Sequence, residues 1–165
     1  MRKKKYFTIL ELIMVITIIG ILILLVTVRF NVFYSIKLQG AVKKLVQDIK
    51  YVQTVAITTK DNYALSFNTT EESYQAYKVS DGSLLKDPYT HQPLNVNFNN
   101  ISQYQGIDIS SVDFEGTSIL QFNWRGTPLD GGGNILRREG RIVLSYQGIN
   151  FTIVVSPQTA SIIIQ

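Results

Sequence analysis

The hydrophobic pattern sets the first part of the chain apart from the rest. No charged residue occurs over residues 12–28, and Ile, Leu and Val recur on every side of a helix drawn through this stretch. A helix that is apolar all round is typical of a membrane span rather than of a surface helix. Counted over residues 7–28, the helix would extend about 33 Å, which matches a hydrocarbon core of about 30 Å. We therefore predict a transmembrane segment over residues 7–28.

The hydrophobic period changes near residue 31. Apolar side chains then recur at steps of three and four, and lysines occupy other positions. This spacing predicts an amphipathic helix over residues 29–58 whose apolar face packs on another part of the protein. The residues of that face are Leu38, Val42, Leu45, Ile49, Val52 and Ala56. No proline interrupts the chain here, so we predict one rod over residues 7–58, about 75–80 Å long.

After Thr59 the chain shows short alternating runs separated by turn residues, which is the pattern of antiparallel strands. The predicted strands cover residues 62–68, 73–80, 94–99, 107–114, 118–124, 141–147, 150–156 and 160–165. Turns are predicted at residues 146–149 and 156–159. Seven or eight strands at this spacing predict a β-rich head over residues 59–165. The expected fold class is α+β, with a long N-terminal helix packed on an antiparallel β-sandwich-like head.

Charge is distributed unevenly along the chain, whose formal net charge is +4. Residues 1–57 hold nine basic and two acidic side chains, a net charge of +7, whereas residues 58–165 hold seven basic and ten acidic side chains, a net charge of −3. An acidic head argues against a general nucleic-acid binder. By the positive-inside rule, the basic residues before the apolar segment place the N-terminus in the cytoplasm and residues 30–165 outside.

Glu11 is a lone carboxylate near the start of the apolar segment. An intramembrane carboxylate is costly and marks a functional contact by default, although a shallow glutamate can also reach the headgroups. The stretch that holds it, FTILELIMVITIIGILILL, closely resembles the N-terminus of type IV pilins and type II secretion pseudopilins. The resemblance implies that a prepilin peptidase removes a basic leader over residues 1–6 and that the new N-terminus, Phe7, is methylated. This chain has Tyr6 where the family has glycine, and the peptidase of the family selects a small residue at that position.

The same resemblance implies a role for Glu11 in a helical filament. There the N-terminal amine of one subunit lies beside the Glu11 carboxylate of its neighbour, and in apolar surroundings the pair is tolerated where neither charge alone would be. Such pairing sets axial register, as a buried polar residue does in a coiled coil.

Three later stretches are similar to segments of the GspH/FimT family: LQGAVKKLVQDIKYVQTVAITTKDNYALSFN, LQFNWRGTPLDGGGNI and GRIVLSYQGINFTIVVSPQTASIII. Residues 68–115 match nothing in it. The resemblance implies a minor pseudopilin or minor pilin, a single-pass protein of the bacterial inner membrane with a periplasmic head. Its implied partners are other pilins, the inner-membrane assembly platform and membrane lipid. Two alternatives stay open: a DNA-uptake minor pilin, and a membrane-anchored binding domain outside any filament.

Arg137, Arg138 and Arg141 form the only basic cluster of the predicted head. They are candidates for contacting DNA phosphates, or alternatively a cluster that discourages pairing at a strand edge. Family members that bind DNA carry a Gly-Arg-x-Arg motif near the C-terminus. At the matching place, residues 157–161 read PQTAS without arginine, which argues against DNA binding.

The sequence nominates no catalytic site and no cofactor. The single histidine, His91, falls in the polar loop DPYTHQPLN and is interpreted as a solvated surface residue; there is no cysteine and no G-x-S-x-G or P-loop pattern. Residues 130–134, DGGGN, are a candidate calcium loop, because related pseudopilins can bind calcium through a loop. Calcium takes six or more oxygen ligands and this stretch offers two side chains, so a flexible loop between strands is the favoured interpretation and no metal is predicted.

Overall fold

The computed structural model describes residues 8–165, except for the side chains of residues 25–32. A single helix, α1 (Ile9–Thr59), takes up 51 residues and extends about 75 Å. Thr8 caps its first turn, where the Thr8 hydroxyl accepts a hydrogen bond from the Glu11 N–H at 3.2 Å. The helix ends where Lys60 adopts a left-handed backbone conformation with φ of 58°. Among the described residues, no helical stretch is both long enough and apolar enough to traverse a bilayer.

Nine strands follow the helix in the described part of the chain. They are β1 (Tyr63–Asn68), β2 (Ser73–Lys78), β3 (Asn95–Asn97), β4 (Asp108–Asp113), β5 (Ile119–Phe122), β6 (Pro128–Leu129), β7 (Gly140–Tyr146), β8 (Ile149–Val155) and β9 (Ile162–Ile164). Each of the eight predicted strands corresponds to one of these. The short strand β6 was not predicted, and the predicted strand over residues 94–99 ends early, because Phe98–Asn100 forms a 3-10 turn capped by the Asn97 side chain.

The strands form two antiparallel sheets. The first has the order β3-β2-β1-β5-β6 and the second has the order β4-β7-β8-β9. Strands β7 and β8 are joined by a two-residue turn in which Gln147 and Gly148 both have positive φ, the geometry of a type I′ hairpin. Strands β8 and β9 are joined by a turn closed by a 2.9 Å hydrogen bond from the Ser156 N–H to the Ser161 carbonyl. The structure therefore contains turns at both predicted places.

The C-terminal half of α1 lies across both sheets, in contact with β1 and β5 of the first and with β7 and β8 of the second. Its buried side chains form one hydrophobic core with residues such as Leu65 and Leu120 from the first sheet and Ile142 and Leu144 from the second. The α+β fold class, with a long helix on two antiparallel sheets, is confirmed. The helix thus holds together two sheets that would each leave an apolar face exposed.

Candidate functional site

The helix α1 has two halves with opposite surroundings. Every described side chain over residues 8–24 is exposed, and these include large apolar residues such as Ile9, which is 79% exposed. Polar groups here are satisfied locally, since the Thr17 hydroxyl donates to the Ile13 carbonyl at 2.8 Å. Exposed apolar area on this scale marks a surface that a partner or a membrane covers. This segment is therefore the first candidate for a functional surface.

Glu11 lies in the first turn of α1, and it is exposed. The positive end of the helix dipole favours a carboxylate at this position. Among the described residues, none forms an ion pair with Glu11. The predicted processing residues, Tyr6 and Phe7, and the basic leader lie outside the described residues.

The five residues predicted to pack the helix on the head are all buried. They are Leu38, Val42, Leu45, Ile49 and Val52, each exposed by 1% or less. They share the core with side chains of both sheets. Removing any of them would open a cavity where the helix meets the head.

Lys37 connects α1 to the head near the position where the helix begins to extend beyond the head. Its Nζ donates to the Gln105 carbonyl at 2.6 Å and to the Tyr146 hydroxyl at 3.2 Å. The same ammonium lies 4.4 Å from the centre of the Tyr146 ring, which is within the range of a cation–π contact. The ring of Tyr34 packs edge-on against Tyr146 at 5.5 Å. These contacts fix the direction in which the helix emerges.

A buried polar network, not predicted from the sequence, crosses the interface between α1 and the head, closer than Lys37 to the C-terminal end of the helix. The Asp48 carboxylate, 6% exposed, accepts hydrogen bonds from the Tyr74 hydroxyl at 2.6 Å and from Lys44 Nζ at 2.7 Å. Lys44 also lies 3.5 Å from Asp87. One sequence signal was available: a carboxylate three residues after Leu45 falls on the apolar stripe of the helix.

Burial governs the titration of this network. Burial raises the pKa of Asp48, against the hydrogen bonds from Lys44 and Tyr74. Burial also raises the pKa of Tyr74 well above its ordinary value, and the Asp48 charge adds to the effect. Burial alone would lower the pKa of Lys44, but the hydrogen bonds and charges of Asp48 and Asp87 together outweigh burial, so that the pKa is raised. The network fixes where the helix meets β2, at some cost in desolvation.

Arg137, Arg138 and Arg141 lie around one open cleft of about 560 Å³. Three carboxylates, those of Asp113, Glu115 and Glu139, line the same cleft. Arg141 pairs with Glu139 at 3.3 Å, and Glu115 accepts the backbone N–H groups of Arg137 and Arg138. Equal numbers of opposite charges do not make the positive surface that phosphates require.

The loop over residues 130–134 is closed on itself. The Asp130 carboxylate accepts hydrogen bonds from the Asn134 N–H at 2.8 Å and from Asn134 Nδ2 at 3.1 Å. These bonds lower the pKa of Asp130. Both carboxylate oxygens of Asp130 thus take part in hydrogen bonds within the loop. Within the described residues, no group of three or more His, Cys, Asp or Glu side chains is arranged to hold a metal, and His91 is exposed.

Comparison with known proteins shows similarity in structure alone. No family model matches the chain, and no curated protein matches its sequence. A crystal structure of the type IV minor pilin FimU from Pseudomonas aeruginosa has a TM-score of 0.55 and 14% identity, over 78% of this chain and 87% of that one. The minor pseudopilin EpsH from the type 2 secretion system of Vibrio cholerae has a TM-score of 0.55 and 7% identity, over 78% and 96%. The chain therefore shares the fold of these minor pilins and pseudopilins.

Proposed function

We propose that this chain is a minor pilin or minor pseudopilin, a structural subunit of a type IV pilus-like filament or a type II secretion pseudopilus. The observation that carries the proposal is the division of α1, whose C-terminal half buries its apolar stripe against the head and whose described side chains over residues 9–24 are all exposed and mostly apolar. A helix of that kind is stable when neighbouring helices or lipid cover it. The fold shared with FimU and EpsH supports the same function.

Before assembly, the apolar half of α1 would hold the subunit in the bacterial inner membrane. This part of the proposal rests on the hydropathy of residues 7–28. Of this segment, Phe7 and the side chains of residues 25–28 lie outside the described part of the chain. The N-terminus would be cytoplasmic and the head periplasmic. The partners would be lipid, the assembly platform, a prepilin peptidase that accepts Tyr6, and other pilins of the filament.

Within the filament, Glu11 would pair with the N-terminal amine of a neighbouring subunit. Its exposed position in the first turn leaves it available for a contact outside the subunit. Once surrounded by apolar helices, an unpaired carboxylate would be strongly unfavourable, so the pairing favours one axial register over others. The C-terminal half of the helix would keep the head at a fixed angle to this contact.

The Glu11→Ala variant tests the register role in cells that express the full chain. We expect the variant to reach the membrane fraction normally and to enter the sheared or co-sedimenting filament fraction far less than the wild type. Glu71→Ala is the matched control, because Glu71 is an exposed carboxylate on the head. If the Glu11→Ala variant entered the filament at the wild-type level, that result would contradict the proposed role of Glu11 in setting the axial register.

The mass of the N-terminal peptide separates the filament proposal from its main alternative. We expect the protein isolated from its native membrane to begin at an N-methylated Phe7. A chain that keeps residues 1–6 would lack the amine that Glu11 needs. Together with a failure to co-purify with pilin-like proteins, that result would favour a membrane-anchored binding domain outside any filament.

A further inference from the structure

Several hydrogen bonds hold the turn between β5 and β6 in place. The Asn123 side chain accepts hydrogen bonds from the N–H groups of Arg125 at 2.9 Å and Thr127 at 3.0 Å. The Gly126 N–H donates to the Asn123 carbonyl at 2.8 Å. Gln53 of α1 donates to the Gly126 carbonyl at 3.0 Å, which fastens the turn to the helix. The side chains at its tip are therefore presented on a rigid support, which reduces the entropy lost on binding.

This rigid turn presents large side chains to solvent. Trp124 is 49% exposed, and the guanidinium of Arg125 lies over its ring at 4.5 Å from the centroid. Ile57 of α1 is 48% exposed. It packs directly against Gly126, since a Cβ atom added to this glycine would lie only 2.7 Å from the Ile57 Cδ1. Trp and Arg are the residue types most enriched among binding hot spots. We call Trp124, Arg125 and Ile57 the distal patch.

The surroundings of the distal patch are positively charged. Lys50 and Lys60 are both exposed. Lys50 lies seven residues before Ile57, about two turns away on the same side of α1, and Lys60 directly follows the last residue of the helix. Neither lysine nor Arg125 forms an ion pair in the described part of the chain. Asp61, next to Lys60, is paired with Lys78 at 2.7 Å. The patch therefore contains one cation, Arg125, and two further cations belong to or directly follow the C-terminal part of α1, on a head whose net charge is negative.

We propose that the distal patch is a docking surface for an acidic segment of another protein that carries an apolar side chain. The apolar side chain would cover Trp124 and Ile57, and carboxylates would pair with Arg125 and the two lysines. Charge complementarity of this kind gives selectivity and a faster association rate. The patch lies at the C-terminal end of α1, so the proposal does not depend on how the N-terminal half assembles.

A protein segment fits this surface better than a nucleic acid does. Arg125 already covers one face of Trp124, whereas single-stranded nucleic acid binds to aromatic faces free for base stacking. The acidic head would also repel a long polyanion. A short acidic segment can place its charges against the patch and avoid the rest of the head.

Trp124 provides the assay, because it is the only tryptophan of the chain. The full chain is reconstituted in nanodiscs of neutral lipid and titrated with a peptide of alternating glutamate and leucine while tryptophan emission is recorded. The same peptide with lysine in place of glutamate and a short oligothymidylate serve as comparison probes. We expect a saturable blue shift with the acidic peptide alone, weakened by salt. Arg125→Gln should weaken binding at least about tenfold, as expected for a hot-spot arginine.

Two further variants keep the test decisive. Ile57→Ser should also weaken binding, through the apolar contact rather than through charge. Lys86→Gln is the matched control, since it removes one exposed cation of the loop between β2 and β3, outside the distal patch, and should bind as the wild type does. Equal binding of the acidic and basic peptides, or equal effects of Arg125→Gln and Lys86→Gln, would overturn the proposal. Binding of oligothymidylate in preference to the acidic peptide would instead make the patch a nucleic-acid surface.

Discussion

Replacing Tyr74 with phenylalanine removes one hydroxyl from the interface between α1 and the head and changes almost nothing else. That hydroxyl donates to Asp48 at 2.6 Å, and both side chains are buried, at 1% and 6% exposure. A hydrogen bond to a charged group contributes about 1.5–3 kcal/mol to the free energy of unfolding. For a chain of this size, about 2–4 °C is lost per kcal/mol. We therefore expect the Tyr74→Phe variant to melt about 3–12 °C below the wild type.

Thermal unfolding of the full chain, followed by circular dichroism, measures this loss. Tyr77→Phe is the control, because Tyr77 lies on the same strand and is only partly buried; it should change the free energy of unfolding by no more than about 0.5 kcal/mol. A double-mutant cycle with Asp48→Asn should give a coupling energy of about 1–2 kcal/mol. A loss below about 0.5 kcal/mol with no coupling would refute the inference that the two side chains stabilise each other.

The pH dependence of the same pair supplies an independent check. Because the pKa of Tyr74 is raised in the folded protein, its contribution is fully present below its ordinary value of 10.0 and is lost as the pH rises above that value. The stability advantage of the wild type over Tyr74→Phe should therefore be constant near neutral pH and shrink above about pH 10. An advantage that persists undiminished into strong alkali would contradict a raised pKa.

Other predictions use the same melting assay. Gly140→Ala should cost about 1–3 kcal/mol, because the new Cβ would come within 2.3 Å of the Phe114 ring. Gly40→Ala should instead stabilise by about 1 kcal/mol through helix propensity, since the nearest atom outside its own helix turn would lie 3.7 Å from the new Cβ. A stabilising Gly140→Ala would contradict the first estimate, and a destabilising Gly40→Ala the second. Leu45→Ala should cost about 2–5 kcal/mol. Backbone N–H groups lower the pKa of Asp87 against the effect of burial, so the stability that Asp87→Asn removes should be present above about pH 4 and fade as the pH falls further. A pH-independent difference would argue against that cause.

Most of the helix and strands could be predicted because their signals are local. The apolar stripe from Leu38 to Val52 has the helical period, and the alternating runs after Thr59 have the period of strands. The turn between β7 and β8 could be predicted because Gly148 adopts positive φ without steric cost. Strand β6 was missed because two residues carry no period, and Phe98 was assigned to a strand because the Asn97 cap that starts the 3-10 turn gives no periodic signal.

The candidate surfaces were predictable to different degrees. The exposed apolar half of α1 and the position of Glu11 are visible in the sequence, since both depend on neighbouring residues alone. The neutralisation of the arginine cluster is not visible, because Glu115 precedes Arg137 by 22 residues and the fold brings them together. The distal patch likewise combines Ile57 from the helix with Trp124 from a turn between strands.

The sequence by itself thus determined the helix, eight of the nine described strands, and which face of the amphipathic helix is apolar. It also indicated that the first part of the helix is apolar all round and needs a partner or a membrane to cover it. Tertiary structure alone decided which faces meet. Asp48 and Tyr74, for example, lie 26 residues apart in the sequence. The hydrophobic pattern of a helix or strand shows which of its own faces is buried, but it does not show which other element packs against that face. Pairing between distant elements depends on loop lengths, sheet order and the total volume to be filled, and these are properties of the whole fold.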